Sequence, residues 1–393
     1  MSFFKPKLVY ADYAATTPLD RRVFKAMKPY FEENFYNPSS SYKKALEVRA
    51  AIENAREVVA DLLIANPEEI IFTSGGTESD NLALVGIANA YKDKGRHIIS
   101  VASEHHAITK TLEYLEKNGF EVSFVPVAPT GVIDLIEFKK LLRPDTILVS
   151  VMYANNEIGT LQPISEIGKI ILQFRKANSQ SIPYFHSDAC QAGYLSLDVQ
   201  KLHVDALTLC GSKIYGPKGS GILYVKKEVK IEPLFHGGSQ EEGRRAGTEN
   251  VTGIIGFAVA LNILQQNKEH VHKKIFSRAK YFVKKIKHHF PDAVLNGLPI
   301  DSVDRLPSII NLRFPKFEAE QVLLYLSKYG IMCSTGSACS IKSNESSHVL
   351  TVIGLSESEI KNSIRFSFGE RTSKKELDYI IKSLQSIFKL LNF

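Results

Sequence analysis

Short apolar runs alternate with amphipathic stretches along most of the chain. Ile70–Thr73 reads as a buried strand broken by Gly75 and Gly76, and Thr77 to Tyr91 then carries the apolar spacing of a helix. The same alternation predicts strand His97–Val101, a helix from Glu104 to Asn118, strands Glu121–Val125 and Thr146–Val151, and a helix from Ser165 to Ala177. Ile182–His186, Ala206–Leu209 and, past a glycine loop, Gly221–Val225 close the series. Strands and helices in this rhythm predict an α/β fold, a mostly parallel sheet between two helix layers.

Near residue 265 the pattern changes. Gln265 to His289 is rich in Lys and His, with apolar residues at Val271, Ile275, Phe282 and Ile286, so one long helix with a cationic outer face is expected. Aromatic residues are not interleaved there as stacking platforms, so the charge is read as a solvated face and no nucleic acid is expected. Strand Ile309–Leu312, helix Glu318–Lys328, strands Ile331–Cys333 and Ile364–Phe368, and a helix from Lys374 to Leu391 follow as a compact α+β unit.

Composition narrows the class. The chain has 393 residues, 44% hydrophobic and 23% charged, which excludes disorder, collagen and disulfide scaffolds. Its net charge of +7 is a mild excess that suits an anionic ligand without identifying one. The four cysteines, Cys190, Cys210, Cys333 and Cys339, form no CxxC and no zinc spacing, so a reducing, cytoplasmic setting is expected. No apolar run reaches the roughly 20 residues of a membrane helix, and the N-terminus does not read as a signal peptide.

Ligands of open α/β sheets sit beyond the carboxyl ends of the strands. The first such loop, Ser74-Gly75-Gly76-Thr77-Glu78-Ser79, has the glycines and following helix of a phosphate cradle. The second carries His105 and His106. Adjacent helical residues diverge by about 100°, so only one of them serves a given site, stacking on a ring or moving a proton. Asn155-Asn156-Glu157-Ile158-Gly159 offers amides and a carboxylate to a small polar ligand. His186 and Asp188 share one strand face. No third ligand is near, so no metal is expected, and Asp188 is placed to pair with a protonated pyridine nitrogen. Lys213, between Gly211 and Gly216, is placed to form an imine, with Lys218 as its competitor. Cradle, histidine, aspartate and lysine in this order describe a pyridoxal-phosphate site, in which Lys213 holds the aldehyde and Asp188 keeps the ring protonated.

On these motifs the chain resembles the cysteine desulfurases, class V enzymes of the fold-type I pyridoxal-phosphate group. The matching stretches include Asp12-Tyr13-Ala14-Ala15-Thr16-Thr17-Pro18, the run Phe72 to Ser79, Asn155 to Gly159, His186 to Gln191, Ser212 to Gly219, Arg244 to Asn250, Ser334 to Ser340 and Ser363 to Gly369. The resemblance implies a large pyridoxal-phosphate domain over 17–262, with 1–16 and 263–393 forming a smaller α+β domain that carries a catalytic cysteine loop. It implies that Cys339 attacks the sulfur of L-cysteine, leaving alanine and an enzyme persulfide for iron–sulfur or thiolation acceptors. Gly76 and Thr77 would bind the phosphate, His105 would stack on the ring, and Gln191 would contact the ring hydroxyl. Asn155 and Arg365 would hold the substrate carboxylate. Thr248 would reach the phosphate of the opposite protomer, which makes a homodimer a functional need.

The chain also departs from the family pattern. Cys210-Gly211-Ser212-Lys213 stands where Ser-x-His-Lys is usual, Gly76 where Ala is common, Asp80 where Asn is common, Tyr42 where His is frequent and Glu242 where Arg is frequent. These put cofactor affinity and specificity in question. A selenocysteine lyase, a class V aminotransferase and a catalytically weak partner-binding relative are the competing readings. Cys339 argues against the aminotransferase, and the retained Lys213, Asp188 and Arg365 argue against the weak relative.

Overall fold

The structure, a computed structural model, describes residues 8–336 and 346–391. Its strands in chain order are β1 (Val9–Tyr10), β2 (Ile70–Thr73), β3 (His97–Val101), β4 (Glu121–Val125), β5 (Thr146–Ser150), β6 (Tyr184–Asp188), β7 (Ala206–Cys210), β8 (Gly221–Val225), β9 (Val294–Leu295), β10 (Ile309–Arg313), β11 (Ile331–Met332) and β12 (Ser363–Ser367). Seven form the main sheet in the order β2-β8-β7-β6-β5-β3-β4. β8 runs antiparallel to both its neighbours, and the other pairs are parallel.

Period-two alternation fixes which side chains face which helix layer. Phe72, Ile99, Val149, Phe185 and Leu207 enter one core with helices Lys43–Leu63, Ile164–Ala177 and Val251–Gln266. Ile71, Ile98, Leu148, Tyr184 and Ala206 face the other way, against helices Gly76–Tyr91 and His106–Lys117. The sheet expected from the pattern is therefore present. β6 begins two residues later than expected, because Pro183 has no N–H to give to a ladder. The shift carries Asp188 into the end of the strand.

A second core gathers on the antiparallel sheet β12-β10-β9 and on helices Ala319–Lys328 and Lys374–Leu391. β1 pairs in parallel with β11, so the start of the described chain belongs beside this core. The long helix expected over Gln265–His289 is present from Lys268, and Gln265 and Gln266 close the helix before it. Val251–Gln266 ends at Asn267, whose φ of −111° and ψ of 7° are not helical, and Lys268–His289 begins there. The second helix is shared. Val271 and Ile275 pack in the main core, whereas Ala279, Phe282, Val283 and Ile286 pack in the small one.

One buried ion pair fastens the segment after β8 to the sheet. The Arg56 guanidinium donates through Nη1 and Nη2 to the two carboxylate oxygens of Glu241, each at 2.8 Å. Glu241 also accepts from the Phe72 backbone N–H at 3.0 Å. This segment runs on to Thr248, which is exposed on the single chain.

Candidate cofactor and active site

A cavity of about 270 Å³ opens at the carboxyl ends of the parallel strands. Gly76, Thr77, His105, Asp188, Gln191, Ser212, Lys213 and Arg365, all expected from sequence, line it together. Lys218 is not among the lining residues; its amine donates to the Thr17 carbonyl at 2.8 Å on the exposed side of the loop. Cys339 lies outside the described residues.

The cradle is built by β2 and the helix behind it. Gly75 has φ 151°, a region closed to side chains, and this lets the chain turn directly into helix Gly76–Tyr91. The free N–H groups and positive dipole end of that helix face the cavity at Gly76 and Thr77. A Cβ on Gly76 would lie 2.7 Å from the Cys190 sulfur, so an alanine here would require the thiol to turn aside. Cys210 occupies the cradle's other wall, 3.0 Å from the Ser212 hydroxyl. A hydrogen bond from the Cys190 thiol, then those from the Ser212 hydroxyl and the Gly76 and Ser212 N–H groups, pull the Cys210 thiol down to about 5 against the cost of burial. The same bond and burial push Cys190 up.

On the opposite wall His105 caps helix His106–Lys117, its Nδ1 accepting the Ala107 N–H at 3.1 Å. That bond leaves the proton on Nε2. Burial lowers the His105 pKa, so the ring is the neutral form. Lys213 donates to the carbonyls of Ala14, at 2.9 Å, and Ala15, so the N-terminal segment forms part of the wall. Gln191 donates to the same Ala14 carbonyl at 3.0 Å.

Asp188 accepts the Cys190 N–H at 2.9 Å through one oxygen. Beneath it His186 bridges Ser150 and Thr208, each at 3.0 Å, and burial lowers its pKa to about 4. Asp80 and Glu104 flank this floor. Burial first, and then the charge of Asp188, raise both their pKa values. Among the described residues no cluster of three His, Cys, Asp or Glu is placed to hold a metal.

Arg365, on β12, is 1% exposed. It donates to Asp12 at 2.9 Å and to the Asn156 carbonyl at 3.0 Å, and its Nε has no partner. Asn155 does not line the cavity. Its amide donates to the Ser103 carbonyl and accepts the N–H groups of Glu157 and Ile158, so it holds the turn that presents the Asn156 carbonyl to Arg365. Thr248 does not line the cavity either. Cys190 was not singled out from sequence. Its position two residues past Asp188 mirrors that of Cys210 past Thr208, and Asp188 and Thr208 are register partners.

The donor set fits pyridoxal phosphate. Helix N–H groups, Thr77 and Ser212 suit a phosphate, an aspartate and a neutral histidine suit a pyridine ring, and the Arg365 guanidinium on the lining suits a carboxylate.

Comparison with known proteins agrees. Residues 9–380 match the aminotransferase class-V family. "Cysteine desulfurase IscS" of Dictyoglomus turgidum is 47% identical over 98% of this chain and 95% of its own length. The solved structure "NifS-like protein" is 36% identical, with a TM-score of 0.90, over 98% of this chain and all of that one. "SspA in complex with cysteine" is 35% identical, with a TM-score of 0.79, over 93% of this chain and 99% of that one.

Proposed function

The chain belongs to the aminotransferase class-V family and is a pyridoxal-phosphate-dependent cysteine desulfurase, and from that premise we propose that Cys339 takes the sulfur of L-cysteine as a persulfide, with alanine as the other product. The observation that carries the site assignment is the convergence of Lys213, Asp188, His105 and Arg365 on one cavity. When bound, the cofactor supplies an electron sink for charge that develops on the substrate carbon.

The protein's own groups do the rest. Lys213 is the amine that holds the cofactor and moves a proton at the substrate carbon. Asp188 keeps the ring nitrogen protonated. Thr77, Ser212 and the N–H groups around Gly76 bind the phosphate, and Gln191 contacts the ring hydroxyl. His105, neutral with its proton on Nε2, stacks on the ring and exchanges a proton with the substrate thiol. Arg365, which lines the cavity, holds the substrate carboxylate, and Asn155 supports that grip through the 155–158 turn. A cysteine thiolate is the right attacker on sulfur, because it is far more nucleophilic there than a hydroxyl.

The assignment extends to assembly. The enzyme works as a homodimer in which Thr248 completes the partner's phosphate site, and its persulfide passes to an iron–sulfur scaffold or thiolation protein in the cytoplasm. We assign residues 17–262 to the large domain and 1–16 with 263–393 to the small one, whose first helix reaches back into the main core through Val271 and Ile275. No helix among the described residues is long and apolar enough to cross a membrane.

Cys339→Ser tests the central step. The variant should keep the fold, the yellow cofactor and cysteine binding, and lose persulfide formation and alanine release. Sulfide release near the wild-type rate, or a reactive thiol mapped by alkylation to another cysteine, would overturn the assignment.

A further inference from the structure

Two cysteines face each other across the cradle, and the mechanism above uses neither. Cys190 follows β6 and Cys210 ends β7, and their neighbours Asp188 and Thr208 are register partners in adjacent parallel strands. The ladder ends at Asp188 and Thr208, and Cys190 lies in the turn just beyond it, so it is at Gly76 that the two side chains meet. An ideal Cβ there would meet the Cys190 sulfur at 2.7 Å and the Cys210 Cβ at 3.7 Å, so the missing methyl leaves the Cys190 thiol its present place beside Cys210. Both line the cavity and are half-buried, within reach of a small solute.

We propose that Cys190 and Cys210 form a redox-modifiable dithiol, whose oxidation to a disulfide by a peroxide closes the cofactor's phosphate cradle. The inference rests on the placement of the cofactor phosphate at Gly76, Thr77 and Ser212. The Cys210 thiolate attacks the peroxide O–O bond, giving a sulfenic acid and hydroxide. The Cys190 thiol then displaces water from that sulfur. Two electrons pass from the two sulfurs to the peroxide, and the balance is one thiolate, one thiol and one hydrogen peroxide giving one disulfide, one water and one hydroxide.

The geometry also explains why cofactor and disulfide exclude one another. The Ser212 hydroxyl and the Gly76 N–H, which the phosphate needs, already serve the Cys210 sulfur. A bound phosphate takes these donors away and covers the pair. The bare cradle leaves the thiolate formed and its partner thiol beside it. A disulfide draws both sulfurs together at Gly76, on the path of the phosphate. Oxidation therefore acts on enzyme that has lost its cofactor, and reduction restores the capacity to bind it.

The test compares holoenzyme with enzyme stripped of cofactor by hydroxylamine. Each is treated with hydrogen peroxide and mapped by non-reducing peptide mass spectrometry, and pyridoxal-phosphate rebinding is followed by absorbance. A Cys190–Cys210 disulfide is expected in the stripped enzyme and not in the holoenzyme. Rebinding should weaken by about tenfold or more and recover with dithiothreitol. Cys210→Ser, which lacks the attacking thiolate, should rebind as well after peroxide as before it. No Cys190–Cys210 link in the stripped enzyme, or a link that leaves rebinding unchanged, would overturn the proposal. Failure of untreated stripped enzyme to bind the cofactor, or its binding unaffected by Thr77→Ala, would instead count against the phosphate placement itself.

Discussion

Replacing Glu241 with alanine should be among the most costly single changes outside the cavity. The side chain is 3% exposed and its Arg56 partner 10% exposed, so neither charge is screened well by water. Removing the carboxylate breaks two N–H···O bonds from Arg56 and strands the Phe72 N–H. Breaking a buried pair at one end costs about 3–5 kcal/mol. Arg56 keeps the Ile70 carbonyl at 2.7 Å and the half-exposed Glu53 at 3.0 Å, which places the expected loss near the low end, about 3 kcal/mol. Glu241→Gln should cost less, because its amide oxygen still accepts one bond. Arg56→Met with Glu241→Leu should cost less than Glu241→Ala, since no charge is left behind. Urea unfolding of the three variants, followed by circular dichroism, measures this order. A loss below about 1 kcal/mol for Glu241→Ala, or a double variant weaker than the single one, would refute the reasoning.

Three further outcomes are expected. Between the ordinary histidine value of about 6.5 and the folded value of about 4, the unfolded chain binds the His186 proton and the folded chain does not, so this group removes stability as pH falls through that window. His186→Gln should flatten the acid limb of melting temperature against pH relative to wild type, and parallel curves would sink the assignment. Lys213→Ala should purify colourless, and borohydride should trap no adduct; an adduct appearing on Lys218 would move the attachment there. Cys210→Ser combined with Ser212→His should tighten cofactor binding by about 1–3 kcal/mol in equilibrium dialysis, and an unchanged affinity would show the phosphate already saturated by other donors.

Most of the sheet and much of the cavity lining were legible in the sequence, because both follow from local pattern. Period-two runs mark the strands, and the glycine pair after Thr73 marks the cradle. What was hidden depends on tertiary register. Asn155 reads as a ligand contact, yet its amide is consumed by the N–H groups two and three residues on, a competition only geometry reveals. The proximity of Cys190 to Cys210 needs the pairing of β6 with β7. The walls given by Ala14 and Ala15, and the Asp12 partner of Arg365, come from the far end of the chain. The break at Asn267 leaves the apolar spacing around it intact, so the pattern alone reads through it.

The helix Lys268–His289 has a mechanical consequence. Its first half is clamped in one core and its second half in the other, so it works as a beam built into two walls. Any rotation of one wall against the other must bend or twist the few residues between Ile275 and Ala279. They carry an unbroken run of helical turns without glycine or proline to act as a joint. Lys213 stands on one wall and Arg365 on the other, so the stiffness of this span sets how far apart the amine and the guanidinium drift under thermal load. A glycine at Ser277 would soften the beam without touching either group, and the gap between them would fluctuate more widely.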